Sequence, residues 1–183
     1  MTSAEPPPPP GPSAAEQREA AVAARLPLQR LGAGVIVRDA IGRVLLVEPT
    51  YKPTWEIPGG LVEADESPLQ ACRREVAEEL GIELPVHRLL VVDWVPRRGV
   101  WPEGLLFVFD GGVLEEHRLA DVRLPVDELA AARFVTLDEA REHLRPDMHR
   151  RLQVAREVAM SPDAPPAYLE RGRRVLPPSR AIL

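Results

Sequence analysis

Glu75, Glu78 and Glu79 stand at i, i+3 and i+4, so a helix running through them brings three carboxylates within reach of one point beside its axis. Like charges at this spacing oppose the helix by about 0.2–0.5 kcal/mol a pair. A divalent cation among them reverses that sign. Hard oxygen donors with no pair of Cys or His residues close by suit Mg²⁺ or Mn²⁺ better than zinc, and Mg²⁺ held by a few carboxylates commonly touches substrate phosphates as well. The same spacing also describes a solvated acidic face with Arg74 and Glu78 as a surface ion pair, and spacing alone does not separate the two.

The element that must carry these carboxylates is delimited at both ends. Ser67 can cap a helix with Gln70 three residues on, Pro68 suits its first turn, and Gly81 supplies the left-handed residue that ends it. Leu69, Cys72, Val76 and Leu80 recur at helical spacing, which turns one side of that helix to a core and leaves the glutamates on a neighbouring face. Gly59 and Gly60 precede the acidic loop and permit a tight turn whose backbone approaches a metal or substrate.

From Gly60 to Ile82 the chain satisfies the pattern G-x5-E-x7-R-E-U-x-E-E-x-G-U, with U a bulky aliphatic residue, at Gly60, Glu66, Arg74, Glu75, Val76, Glu78, Glu79, Gly81 and Ile82. This string resembles the Nudix box, and the lead-in from Trp55 to Gly60 is similar to the family's approach to it. The resemblance covers about residues 30 to 145. It implies an α/β fold, the Nudix-type α/β/α sandwich with a mixed sheet, and hydrolysis of a nucleoside diphosphate linked to another group. It also implies that Glu75, Glu78 and Glu79 are the metal ligands, with Arg74 orienting a ligating carboxylate and Glu66 sharing that network. Many members bring a further catalytic Glu from a loop several residues before an aromatic. Glu128, ahead of Phe134, is the candidate here, with Glu103 as a rival and a plain surface Glu as the alternative reading. A non-catalytic Nudix-fold sensor or interaction module is the other class of function. Members are often dimers, so the resemblance admits a homodimer.

Composition bounds the rest. A chain of 183 residues suits one domain with tails, and a net charge of −5 argues against a generic nucleic-acid binder. Cys72 is the sole cysteine and sits on the apolar side of the helix, which fits a core residue and a reducing, cytoplasmic setting. Neither an export leader nor a membrane span is expected. Residues 1–27 read as a Pro/Ala-rich tail, with a short helix near Glu16 to Arg25; residues 28–160 read as the Nudix domain and 161–183 as a C-terminal tail. Leu31 to Arg38 and Val44 to Val47 form a hairpin signal, and Leu89–Val95, Leu105–Asp110 and Arg133–Thr136 are further strand candidates. Helices are expected near Asp138 and over Asp147–Met160. For substrate, Lys52, Arg97 and Arg98 can meet phosphates, Tyr51, Trp94, Trp101 and Phe109 can stack on a base or, each taken singly, pack in the core, and Gly59 and Gly60 can approach with backbone. The expected ligand is a small nucleotide-type molecule rather than a membrane or nucleic acid.

Overall fold

The computed structural model describes residues 11–175; the proline run Pro6–Pro10 lies outside them. In chain order the elements are α1 (Ala14–Ala23), β1 (Arg30–Arg38), β2 (Val44–Pro49), β3 (Gly59–Leu61), α2 (Pro68–Leu80), β4 (Arg88–Val95) and β5 (Gly104–Val113). A short 3₁₀ turn at Glu116–Asp121 is followed by β6 (Leu129–Val135), α3 (Leu137–His143), α4 (Pro146–Ala159), β7 (Ala167–Glu170) and β8 (Arg173–Arg174). One mixed sheet runs β6-β2-β1-β5-β4-β7-β8, with β3 added against β1; β1 pairs with β5, and β4 with β7, in parallel.

The two faces of the sheet carry separate cores. Along β2, Val44 and Leu46 face one side and Leu45 and Val47 the other, and in β1 Ile36 opposes Val35 and Val37. The first side is covered by Leu152, Ala155 and Val158 of α4, the second by Ala71, Cys72, Val76 and Leu80 of α2. This is the expected α/β/α sandwich. Burial on both faces is why these strands read in the sequence as continuous apolar runs rather than alternating ones.

What positions the site is a split in the sheet. β1 and β2 are paired only at Arg38↔Val44 and then diverge. The segment between them comes from the glycine turn: Glu56 bridges Val47, and β3 pairs with β1 at Gly34↔Gly59, Ala33↔Gly60 and Gly32↔Leu61. Gly59 has φ +141°, and a Cβ there would overlap the Ala33 carbonyl and the Gly34 backbone, so only glycine lets the wedge in this close.

The two chain ends behave differently. No residue of α1 is buried, in keeping with a segment that leads into the domain. Of the expected C-terminal tail, however, residues 161–175 are described and are not simply a tail: Ala167 and Leu169 are buried, alternating with exposed Tyr168 and Glu170, and they extend the sheet beside β4. The folded unit therefore passes the boundary expected at 160. No helix among the described residues is long and apolar enough to cross a membrane.

Candidate active site

The helix α2 is built as its sequence dictates. The Ser67 hydroxyl accepts from the Gln70 amide at 3.3 Å while the Gln70 side chain accepts from the Ser67 amide at 2.9 Å, and Gly81 closes the helix at φ +65°. With Ala71, Cys72, Val76 and Leu80 locked into the core, the helix has no freedom of rotation, and Glu75 and Glu79 are turned toward the glycine wedge.

Glu79 lies at the junction of helix and wedge. Its carboxylate accepts the Gly59 N–H at 2.8 Å. Burial pushes its pKa up to about 8 against the pull of that hydrogen bond, with the charges of Glu75, Glu56 and Glu128 acting in the same direction as burial. Glu75 packs against the Gly60 backbone so closely that a Cβ would meet its carboxylate. Burial raises Glu75 as well, partly offset by Arg74 and reinforced by Glu78 and Glu66.

Arg74 gathers the rest. Its guanidinium donates to Glu66 at 2.9 and 3.0 Å, to Glu75 at 3.0 Å, to Glu78 at 3.0 Å and to the Leu61 carbonyl at 3.1 Å. The Glu66 carboxylate, foremost, and then Glu75 and Glu78 hold its proton more firmly than usual. The expected trio is thus divided: Glu75 and Glu79 face the wedge, whereas the Glu78 side chain is 60% exposed and tied to Arg74. Among the described residues no three carboxylate, imidazole or thiol groups stand arranged around one point. The donors nevertheless fit a hard divalent cation in kind, being carboxylates whose pKa burial, with neighbouring carboxylates acting in the same direction, raises above the ordinary range at Glu75 and Glu79.

Above the wedge opens a cleft of about 1300 Å³, larger than the roughly 300–1,000 Å³ of an ordinary small-ligand pocket. Gly59, Gly60 and Glu79 line it, as do Lys52, Arg97 and Arg98. Lys52 is committed to Glu56 at 2.7 Å, and Arg97 and Arg98 sit in an exposed loop at the rim. Tyr51 and Trp101 are 72% and 50% exposed within the same lining, while Phe109, buried in the α2-side core, cannot stack on a base. Glu128 is exposed just ahead of β6, its backbone carbonyl accepting from the Thr50 amide at 2.8 Å, and its charge reaches Glu79. Glu103, the rival, has its carboxylate against Gln29 at 3.5 Å and does not line the cleft.

Glu56 was missed. It lines the cleft and bears on Glu79, and the signal was present in the wedge itself: Trp55 and Ile57 on either side are buried in the α4-side core, so period-two alternation turns Glu56 the other way.

The chain matches the NUDIX domain family over residues 28–156. A MutT-like protein of Streptomyces ambofaciens is 44% identical over 68 residues, which are 37% of this chain and 44% of that protein. The CTP pyrophosphohydrolase of Escherichia coli is 47% identical over 58 residues, 30% of this chain and 42% of that protein. The chain spans less than half the length of these curated relatives. The solved structure of a MutT NUDIX hydrolase from Burkholderia pseudomallei superposes with a TM-score of 0.58 at 26% identity, covering 72% of this chain and 98% of that one. A family match over most of the chain, a shared fold, and a complete box wrapped around the wedge lead to one conclusion: the chain belongs to the NUDIX family.

Proposed function

We propose that the chain is a pyrophosphohydrolase that cleaves the phosphoanhydride bond of a nucleoside diphosphate linked to another group, with Mg²⁺ or Mn²⁺ held by Glu75, Glu78 and Glu79. The observation that carries this reading is Glu79, a carboxylate hydrogen-bonded to the wedge at 2.8 Å, lining a wide cleft and crowded by three further carboxylates. Such a set of hard donors is short of positive charge. A divalent cation, when bound, supplies that charge and Lewis acidity toward phosphate oxygens.

The chain's own groups do the remainder. Arg74 is a positioning residue that holds Glu75 and Glu78 in place and is itself held by Glu66. Gly59 and Gly60 let backbone approach the phosphates, and Lys52 and Arg97 supply charge from the rim. Water adds across the bridge: its oxygen bonds to phosphorus, the bridging P–O bond breaks, and its proton passes to a carboxylate and then to the departing phosphate. Glu128 is the proposed acceptor of that proton, and Glu56 is the second candidate by virtue of lining the cleft. The relative named a CTP pyrophosphohydrolase supports the bond type.

The test is a panel of nucleoside triphosphates, ADP-ribose, dinucleoside polyphosphates and sugar nucleotides with Mg²⁺ or Mn²⁺, scored by phosphate or nucleotide release. Metal-dependent cleavage of at least one is expected. Glu128→Gln should then lower turnover by about 10²–10⁴-fold with KM nearly unchanged and partial rescue at high pH. If Glu56→Gln behaves so instead, the proton goes to Glu56. No cleavage of any member by the wild type at millimolar metal overturns the reading.

A further inference from the structure

The cleft has a second end, of opposite charge. Among its lining residues eight basic side chains face three acidic ones, in a chain whose net charge is −5. Two of the acidic three, Glu56 and Glu79, belong to the end already described. Elsewhere Arg30, Arg145, Arg150, Arg151 and Arg171 line the cleft with Asp147 as the one carboxylate in the lining beside them. Asp147 is engaged by Arg145 at 2.9 Å, and Arg151 is engaged from behind by the buried Asp93 at 2.6 Å. Among the described residues Arg30, Arg150 and Arg171 form no ion pair. Burial lowers the proton affinity of Arg30, and the charges of Arg145 and Arg151 act in the same direction.

This crowding is built into the fold. Arg30 is steadied by the Pro102 carbonyl at 2.8 Å and by the Trp101 ring at 5.8 Å. Asp93, fully buried, accepts from Arg151 at 2.7 Å and from the Gly172 amide at 3.0 Å, which ties the turn between β7 and β8 to α4. The Arg171 carbonyl accepts from Arg150 at 2.9 Å. Arg171 itself has φ +55°, an uncommon and costly conformation for a residue with a Cβ, and one that glycine would take freely. An arginine kept there at that cost adds charge to the end of the cleft already richest in it.

We infer that the arginine end is a phosphate-binding subsite, and that the substrate is one whose second group carries a phosphate of its own, set apart from the phosphoanhydride that is cut. Several guanidiniums lining one end of a cleft suit a dianionic phosphate, which offers oxygens for paired N–H donors, more than a single carboxylate. A nucleoside diphosphate linked to an uncharged sugar offers these arginines no phosphate beyond the anhydride itself. As a statement about substrate this rests on the pyrophosphohydrolase reading; as a statement about anion binding it does not.

Two measurements test it on the full chain. The first is calorimetric titration with inorganic tripolyphosphate in EDTA, where no cation offsets the carboxylates of the other end and the variants assign the binding to the arginine end. Salt-sensitive binding to one site is expected, weakened about tenfold or more by Arg30→Gln and by Arg171→Gly. Arg171→Gly should do this without lowering Tm, because glycine relieves the positive φ; a merely structural arginine would show loss of stability and no loss of affinity. Absent binding, or wild-type affinity in both variants, overturns the subsite. The second compares KM for an ADP-sugar and for the same ADP-sugar phosphorylated at its far end. The phosphorylated form should have a KM at least tenfold lower in the wild type and not in the variants, and equal values in the wild type overturn the substrate assignment. If tripolyphosphate binds as expected and neither compound is cleaved, the substrate assignment fails and the anion subsite stands, while the hydrolase reading is decided by the wider substrate panel.

Discussion

At the scale of single residues, Glu79 joins stability to charge. Its folded pKa of about 8 lies above the 4.5 of an ordinary glutamate, so the folded chain keeps a proton that the unfolded chain has released. Stability is therefore undiminished below about pH 4.5 and is lost as pH rises toward 8. Glu79→Gln removes the penalty. In EDTA the variant should be more stable than wild type at pH 8, by at most a few kcal/mol, with the difference closing toward pH 4.5. Thermal unfolding across pH measures it; a wild type that gains stability over that range would show the carboxylate to be ordinary. The box glutamates were legible because their spacing is local. Glu56 was not, since its orientation depends on a wedge that exists only after β1 and β2 part.

At the scale of elements, α2 was legible at both ends because its caps are written within a few residues: Ser67, Pro68, Gln70 and Gly81 all act where they were expected to. The hairpin was legible only in outline. Its strands form, but their pairing stops at Arg38↔Val44 because β3 takes the remainder of β1. That substitution depends on Gly59. Gly59→Ala should cost several kcal/mol, since it combines a positive φ with a collision against backbone, whereas Gly99→Ala, with φ +56° and open space, should cost about 1 kcal/mol. Chemical denaturation of the two variants checks this. Equal losses would mean that the wedge tolerates a side chain and does not hold Glu79 in place.

At the scale of the whole molecule, the C-terminal strand was illegible. Only Ala167 to Glu170 carry its pattern, and its partner β4 lies far back in the chain. For the same reason the arginine end could not be read: Arg30, Arg145 and Arg171 line one cleft only once the sheet is assembled. Ending the chain at residue 160 removes buried Leu169 and leaves Asp93 without the Gly172 amide. That should cost about 3–5 kcal/mol, or roughly 10 °C in Tm. Deleting residues 1–27 should leave Tm within about 2 °C, because α1 buries no side chain and the loss is below about 0.5 kcal/mol. Calorimetry of the two truncations tests the boundary, and the opposite order of losses would contradict it.

The central claim is that Glu75, Glu78 and Glu79 hold a divalent cation at the wedge. Titration of the full chain with Mn²⁺, followed calorimetrically with and without a nucleotide, tests it most directly. Saturable binding by millimolar Mn²⁺ is predicted, with a rise in Tm by mass action and loss of both effects in Glu79→Gln. No heat of binding at millimolar Mn²⁺ in either condition, or equal binding in Glu79→Gln, would contradict the account.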